Sequence, residues 1–467
     1  MNIASAVKIE APRTDVSART RRLLTGPIVP TLLSLAWPNV LVMLAQASTG
    51  LIETWWVSKL GADALAGMAL VFPGYMMMGM LSAGAVGGGV ASAVARALGA
   101  GRRYDADALV IHALWIHLML GLATSAAFLL FGREIYTAMG GRGASVEAAL
   151  AYSNVVFAGN TLLWIMNALA SVIRGSGEMR FPSLVVCVGV ALLIPLSPLF
   201  IFGLGPFPAL GIAGGGLAVV ATSALMTAAL AWYVASGEGL VRLRRARLRW
   251  ALFADILRVG AAGSLSTLQT TLTVALTTAL VGAAAGPSGV AGYGTGSRLE
   301  YLLIPLVFGL GAPLVAMVGA NIGAGDRVRA LRIALTGAAL AFAATEAIGL
   351  AAAVWPRAWL GLFGDAPDMI ATGSAYLRCV GPAYGFFGLG LSLYFASQGA
   401  GRLMWPLLGG LLRLVIAVAG GALALRLTGS LTALFAMLAL GLGAYGVFVT
   451  AAVRSGVWFK LKGAQGG

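Results

Sequence analysis

Charge is what this chain has least of. Only 10% of its 467 residues are Asp, Glu, Lys or Arg, against about 25% in a water-soluble domain, so the length cannot be spent on soluble domains. Two cysteines, Cys187 and Cys379, are too few for a disulfide framework, and each lies within or beside an apolar run, as a buried free thiol does. The two histidines, His112 and His117, stand five apart and do not share a helix face, so neither a metal pair nor a proton relay follows from them. There is no acid pair at metal-ligand spacing and no phosphate-binding loop ahead of a Lys and a Ser or Thr. Enzymes and ATP-driven pumps are thereby disfavoured, no cofactor or metal is expected, and any work must be drawn from an ion gradient. Met1 to Gly26 holds no apolar core followed by a small-residue cleavage site, so it does not read as a signal peptide, and the first helix must act as its own insertion signal.

What is abundant is apolar sequence. Hydrophobic residues make up 59% of the chain, and runs long enough to cross a bilayer recur at about 30–58, 64–97, 106–131, 147–173, 182–204, 211–235, 251–283, 290–320, 328–354, 368–397, 406–427 and 430–453. These twelve spans predict an all-α integral membrane protein in the lipid bilayer. The excess of base, +15 at neutral pH, gathers in short clusters between spans, at Arg19 to Arg22, Arg102 and Arg103, Arg242 to Arg249, Arg327 to Arg332, and Lys460 and Lys462. That pattern is positive-inside topology and not a nucleic-acid surface. With both termini in the cytoplasm, inner loops and flanks hold about 23 of the 31 Lys and Arg residues.

The chain also repeats itself. Val94-Ala-Arg-Ala-Leu-Gly-Ala-Gly101 matches Val318-Gly-Ala-Asn-Ile-Gly-Ala-Gly325, and Arg174-Gly-Ser-Gly177 with Pro182 matches Gln398-Gly-Ala-Gly401 with Pro406, both at an offset of 224. Two six-helix bundles of the same orientation follow, around a central cavity exposed alternately to each side. The expected organisation is a cytoplasmic tail (1–23), an N-terminal bundle (24–237), a basic cytoplasmic linker at the lipid headgroups (238–250), a C-terminal bundle (251–454) and a second cytoplasmic tail (455–467).

Three acids fall well inside apolar spans: Glu53, Glu300 and Glu346. An ionised carboxylate there is costly, so such a group faces a polar cavity or is held protonated, and each is a functional candidate. Glu53 ends a polar stripe: Asn39, Gln46, Thr49 and Glu53 lie within about 40° of one line on a helix. The competing reading leaves Glu53 solvated at the membrane surface beside Trp55, Trp56 and Lys59. In the fourth span, Ser153, Asn160, Trp164, Asn167 and Ser171 share a face that either lines a cavity or hydrogen-bonds between helices. Glu300 follows Arg298, so a local ion pair competes with a functional role. Glu346 stands alone. Arg413, isolated in the eleventh span, reads as a snorkelling or paired side chain.

Several passages resemble the multidrug and toxic compound extrusion (MATE) family: Leu24-Thr-Gly-Pro-Ile28 leading to Leu35-Ala-Trp-Pro38, Gly61-Ala-Asp-Ala-Leu-Ala66, Val94-Ala-Arg96 with Gly99-Ala-Gly101, Arg174-Gly-Ser-Gly177, Asn321-Ile-Gly-Ala-Gly325 and Gln398-Gly-Ala-Gly401. The resemblance implies twelve helices in two bundles and export of organic, often cationic, small molecules in exchange for H⁺ or Na⁺. The chain departs from the family in three places. Glu53 stands where Asp is common in the first helix. Leu193 and Ser197 precede Pro198-Leu-Phe-Ile-Phe202 where many members carry an Asn and an Asp. The seventh span, from Ser264 to Thr278, offers only Ser, Thr and Gln as polar groups. Losing those ligands favours H⁺ over Na⁺, with Ser197 and Thr49 left as partial oxygen donors. The expected protein is a monomeric, H⁺-coupled exporter of amphipathic compounds in a bacterial inner membrane, with a lipid-linked oligosaccharide or lipid flippase as the nearest alternative. A channel or structural membrane protein is the alternative of another class.

Overall fold

A computed structural model describes residues 17–203, 208–456 and 458. Most of both expected tails, with Lys460 and Lys462, lies outside the described residues. Among those described, every regular element is helical. The spans are α2 (Ile28–Ser58), α3 (Ala62–Gly99), α4 (Arg103–Ala138), α5 (Ala144–Gly175), α6 (Arg180–Phe202), α7 (Ile212–Ser236), then α8 (250–285) and α9 (287–323), α10 (Arg327–Val354), α12 (Pro367–Gly399), α13 (Met404–Thr428) and α14 (Leu431–Arg454). Helices α8 and α9 run on without a loop. The bend between them is a single residue, Gly286, at φ +63° and ψ −162°, a conformation glycine adopts without a Cβ penalty. Pro287 follows at the first position of α9, where its missing N–H costs nothing. The seventh and eighth spans are thus separate, as expected, but their connection is shorter than their sequence spacing implied.

Two short helices were not anticipated. α1 (Ala18–Thr25) is capped by Ser17, whose hydroxyl accepts from the Thr20 N–H at 3.2 Å. α11 (Pro356–Leu360) lies in the loop after α10. α1 straps one end of the molecule: Arg19 pairs with Glu178 at 2.6 Å, while the Leu23 carbonyl accepts from Asn321 Nδ2 at 3.1 Å.

The repeat is visible in the backbone. Gly101, Gly140 and Gly177 have positive φ, and so do Gly325, Gly364 and Gly401, each 224 residues on. Packing repeats too. The fourth helix of each half, α5 and α12, sits against the second, third and sixth helices of its own half. One core lies mainly in the first half, around Val90, Phe157 and Ile173, one in the second, around Tyr376, Tyr384 and Phe435, and a third, around Leu32, Val318 and Val453, joins the two halves.

The two halves meet most closely at the end that carries the basic clusters, through the repeated motifs. A Cβ on Gly99 would lie 2.0 Å from the Ala320 carbonyl oxygen, and one on Gly323 would lie 2.1 Å from that of Arg96. Only glycine permits this backbone approach. Ser92 Oγ donates to the Gly399 carbonyl at 3.0 Å, Arg96 donates to the same oxygen at 3.1 Å and pairs with Asp255 at 2.8 Å, and Gln398 Nε2 donates to the Gly84 carbonyl at 3.1 Å. The basic linker is held against the start of α4: the Arg242 N–H donates to Asp107 at 2.8 Å, the Arg249 N–H donates to His112 Nε2 at 2.9 Å, and the Arg249 guanidinium pairs with Asp105. His112 is therefore a structural acceptor for the linker.

Candidate functional site

Glu53 lies one and a half turns from the end of α2 and is 7% exposed, so it is not solvated at a surface. Tyr152, from α5, donates to Glu53 Oε2 at 3.4 Å. Oε1 has no hydrogen-bond partner among the described residues. Tyr75 of α3 is close enough to interact electrostatically with the same carboxyl. Trp55 and Lys59, neighbours in sequence, point away and stack together, the ammonium 5.0 Å from the ring centroid. Trp56 packs edge-on against Phe202 with centroids 6.0 Å apart, which joins α2 to α6 at this end. A few residues before Phe202 on that helix, Ser197 is buried with an unpartnered Oγ. Pro195 and Pro198 flank it inside α6, and each removes an N–H from the helix ladder and frees a carbonyl oxygen.

The rest of the α2 stripe is satisfied within its own helix. Asn39 donates to the Leu35 carbonyl at 3.1 Å and Thr49 to that of Ala45 at 3.1 Å, while Gln46 is exposed. The polar face of α5 turns toward α3 and α4. Asn160 Nδ2 donates to Thr124 Oγ1 at 2.9 Å and Asn167 Nδ2 to Ser82 Oγ at 2.7 Å. Trp164 is packed edge-on against His117, centroids 5.6 Å apart. Both nitrogens of His117 face carbonyl oxygens, of Ala113 at 2.9 Å and Ser82 at 3.2 Å. Ser82 belongs to a π-helical turn, Met80–Val86, that locally unwinds α3. Thus Glu53 is joined to α5 through Tyr152, whereas Asn160, Trp164 and Asn167 form a separate polar seam with α3 and α4. Asn167→Ala is expected to cost about 1–2 kcal/mol, through loss of a buried hydrogen bond between helices that leaves Ser82 only its 3.3 Å bond to the Gly79 carbonyl, and to appear as a lowered Tm of the purified protein.

In the second half, Tyr376 donates to Glu300 Oε1, Tyr384 donates to Tyr376 at 3.4 Å, and Arg413 stands 3.9 Å from Glu300 Oε2. Glu300 is therefore paired across helices rather than with Arg298, whose guanidinium lies over Phe363. Arg413 pairs, as its isolation implied. Glu346 accepts the Gly385 N–H at 2.7 Å, a bond between α10 and α12. Tyr152 and Tyr376 are 224 residues apart, so the same repeat position holds a carboxyl in both halves, from α2 in one and α9 in the other. The pairs Ala151-Tyr152 and Ala375-Tyr376 were a signal for this in the sequence; the tyrosines went unnoticed because an aromatic in an apolar span reads as core. Thr277, the repeat counterpart of Glu53, is buried with its Oγ1 unpartnered. Among the described residues no cluster of three or more His, Cys, Asp or Glu is arranged to hold a metal ion.

Twelve apolar helices among the described residues, in two repeats with buried carboxyls, are the architecture of a membrane transporter. The MatE family model matches residues 38–199 and again 264–423, once in each half, and the chain belongs to this family. It is 28% identical over 400 residues to a FAD transporter of Shewanella oneidensis, covering 84% of this chain and 87% of that one. It is 24% identical over 382 residues to a probable multidrug resistance protein NorM of Thermotoga maritima, covering 81% of each. A crystal structure of MATE in complex with MaD3S superposes with a TM-score of 0.86 at 25% identity, over 96% of this chain and 100% of that chain.

Proposed function

We propose that the protein exports amphipathic organic compounds by alternating access, in exchange for H⁺ taken up at Glu53. The observation that carries this reading is Glu53 itself, the most deeply buried carboxyl among the described residues, with one oxygen bonded to Tyr152 and the other without a partner. An ionised carboxylate in that setting costs several kcal/mol, so proton loading and the arrangement of the surrounding helices are thermodynamically linked. Protonation removes the buried charge. Release leaves an anion that favours a rearranged, wetter surrounding or a bound cationic group. The relatives named as multidrug resistance proteins support organic-compound export, and the FAD transporter relative extends the chemistry to an aromatic, phosphate-bearing compound.

The bundles 24–237 and 251–454 act as the two moving bodies in this reading, each with its six spans. The basic end, where the halves interlock, is the cytoplasmic one by the positive-inside rule, which puts both termini inside and the described arrangement in a state closed to the cytoplasm. H⁺ is preferred to Na⁺ because a dehydrated hard cation needs several oxygen ligands, and Leu193 and Ser197 supply at most one side-chain oxygen between them. In proteoliposomes, dye efflux is expected to follow an imposed pH gradient and to ignore a Na⁺ gradient at fixed pH. The reverse dependence would overturn the assignment of the ion, and efflux that ignores both would overturn the exchange mechanism.

A further inference from the structure

A cavity of about 130 Å³ lies within the second half, closed on one side by Met80 and Gly84 of α3. Its lining is uneven in a way that specifies a ligand. One part is the stretch of α8 from Ser266 to Thr273, another is aromatic, with Phe308, Phe387, Tyr394, Phe395 and Tyr445, and Arg413 is the one charged side chain among the lining residues.

The Arg413 side chain is only 14% exposed, yet no acceptor lies within hydrogen-bonding distance of its guanidinium among the described residues. Its contacts are a 3.9 Å approach to Glu300 and a position 5.6 Å from the centroid of Phe387. At 3.9 Å the carboxylate offsets the charge without satisfying the N–H donors. A largely enclosed guanidinium with free donors is matched by a carboxylate, sulfonate or phosphate, which it binds in a two-pronged geometry.

The polar face asks for the complementary group. Thr267, Thr270, Thr271 and Thr273 each spend the hydroxyl hydrogen on a carbonyl of their own helix, at 2.8 to 3.1 Å. What remains toward the cavity is oxygen lone pairs. Gln269 donates Nε2 to the Leu407 carbonyl at 3.3 Å, and its Oε1 is buried without a partner. One wall thus accepts hydrogen bonds, another stacks on flat rings, and one group binds an anion.

We propose that this cavity is a substrate subsite selective for aromatic organic anions that also carry N–H or O–H donors, with Arg413 binding the acid group and Glu300 acting as the internal counter-ion that it displaces. This rests on the export reading above and narrows it, since it names the charge of the compounds that the second half accepts.

The test is equilibrium binding to the purified full-length protein in detergent at about pH 5.5, by fluorescence anisotropy, with two probes that share a xanthene ring system, both carry a hydrogen-bond donor and differ in charge: fluorescein, at that pH a monoanion that keeps one phenolic O–H, and rhodamine 123, a cation with N–H donors. Fluorescein is expected to bind more tightly than rhodamine 123 to the unaltered protein. Arg413→Gln should weaken fluorescein about tenfold or more while changing rhodamine 123 by no more than about threefold, and Arg413→Lys should recover part of the loss. Glu300→Gln should tighten fluorescein several-fold, because the competing carboxylate is gone, and this gain in binding needs no folding-sensitive loss to be read. Fluorescein binding unchanged in Arg413→Gln, weakened in Glu300→Gln, or inferior to rhodamine 123 in the unaltered protein would overturn the proposal. Because no gradient is applied, the export reading can fail in liposomes while this site stands, and the site can fail while export stands.

Discussion

Glu53→Gln is expected to lower pH-gradient-driven efflux about tenfold or more, to the rate of passive leak, at equal expression and with Tm within a few degrees of the unaltered protein. Glutamine keeps the length of the side chain and can still accept from the Tyr152 hydroxyl that now donates at 3.4 Å, but it cannot take up or release a proton. Among the described residues the exchange has no other candidate of equal burial in the same half, and the repeat position in the other half is Thr277, which does not titrate. Stability should not fall, because the neutral amide avoids the cost of an ionised group that is 7% exposed and has one oxygen unpartnered. Efflux that still follows the pH gradient in this variant would remove Glu53 from the mechanism, and attention would pass to Glu300.

The second large effect concerns the closed end. Gly323→Val, or Gly99→Val, places a side chain where even a Cβ would lie 2.1 Å or 2.0 Å from a backbone oxygen of the other half. Neither carbonyl can step aside without moving its helix, so the halves must part. Overpacking of a tight contact costs about 1–3 kcal/mol, which is about a 5- to 150-fold shift between two arrangements. Spin labels at Arg102→Cys, just before α4, and Val328→Cys, on the first turn of α10, in a background with Cys187 and Cys379 replaced by Ser, should report a longer and broader distance distribution in the valine variants. An unchanged distribution would show that the glycines do not hold this end together. The polar groups of the repeated motifs bond across the same contact: Ser92 and Arg96 donate to the Gly399 carbonyl, and Gln398 donates to that of Gly84.

Much of this architecture is legible without coordinates because lipid imposes simple rules. A span must be apolar over about 20 residues and must satisfy its own backbone, so composition alone locates the helices. Repeats survive as glycine and proline at constant spacing, since backbone conformations such as those of Gly101 and Gly325 tolerate few other residues. α1 escaped notice for the opposite reason. It is short and polar, and it is held by Glu178 and Asn321, which are distant in sequence.

The candidate site was only half legible. A lone acid in an apolar helix announces itself by its cost, and Glu53 did so. Its partners did not, because Tyr152 and Tyr75 belong to other helices and look like packing residues in their own. The α5 stripe gave a true helical face, but helical periodicity cannot tell which neighbour that face meets; only the rotation of α5 in its bundle turns Asn160 and Asn167 toward Thr124 and Ser82 instead of Glu53. Arg413 shows the same limit. From sequence it is an isolated charge in a span, and its meaning arises when α8, α9 and α12 place acceptor oxygens, a carboxyl 3.9 Å away and aromatic faces around it. Membership of the class, the number of spans and the twofold repeat follow from hydrophobic length and local backbone chemistry, which are properties of the chain in order. Which polar groups meet, and which are left facing a cavity, depends on helix rotation and contact between segments up to 314 residues apart, and that is decided only when the helices pack.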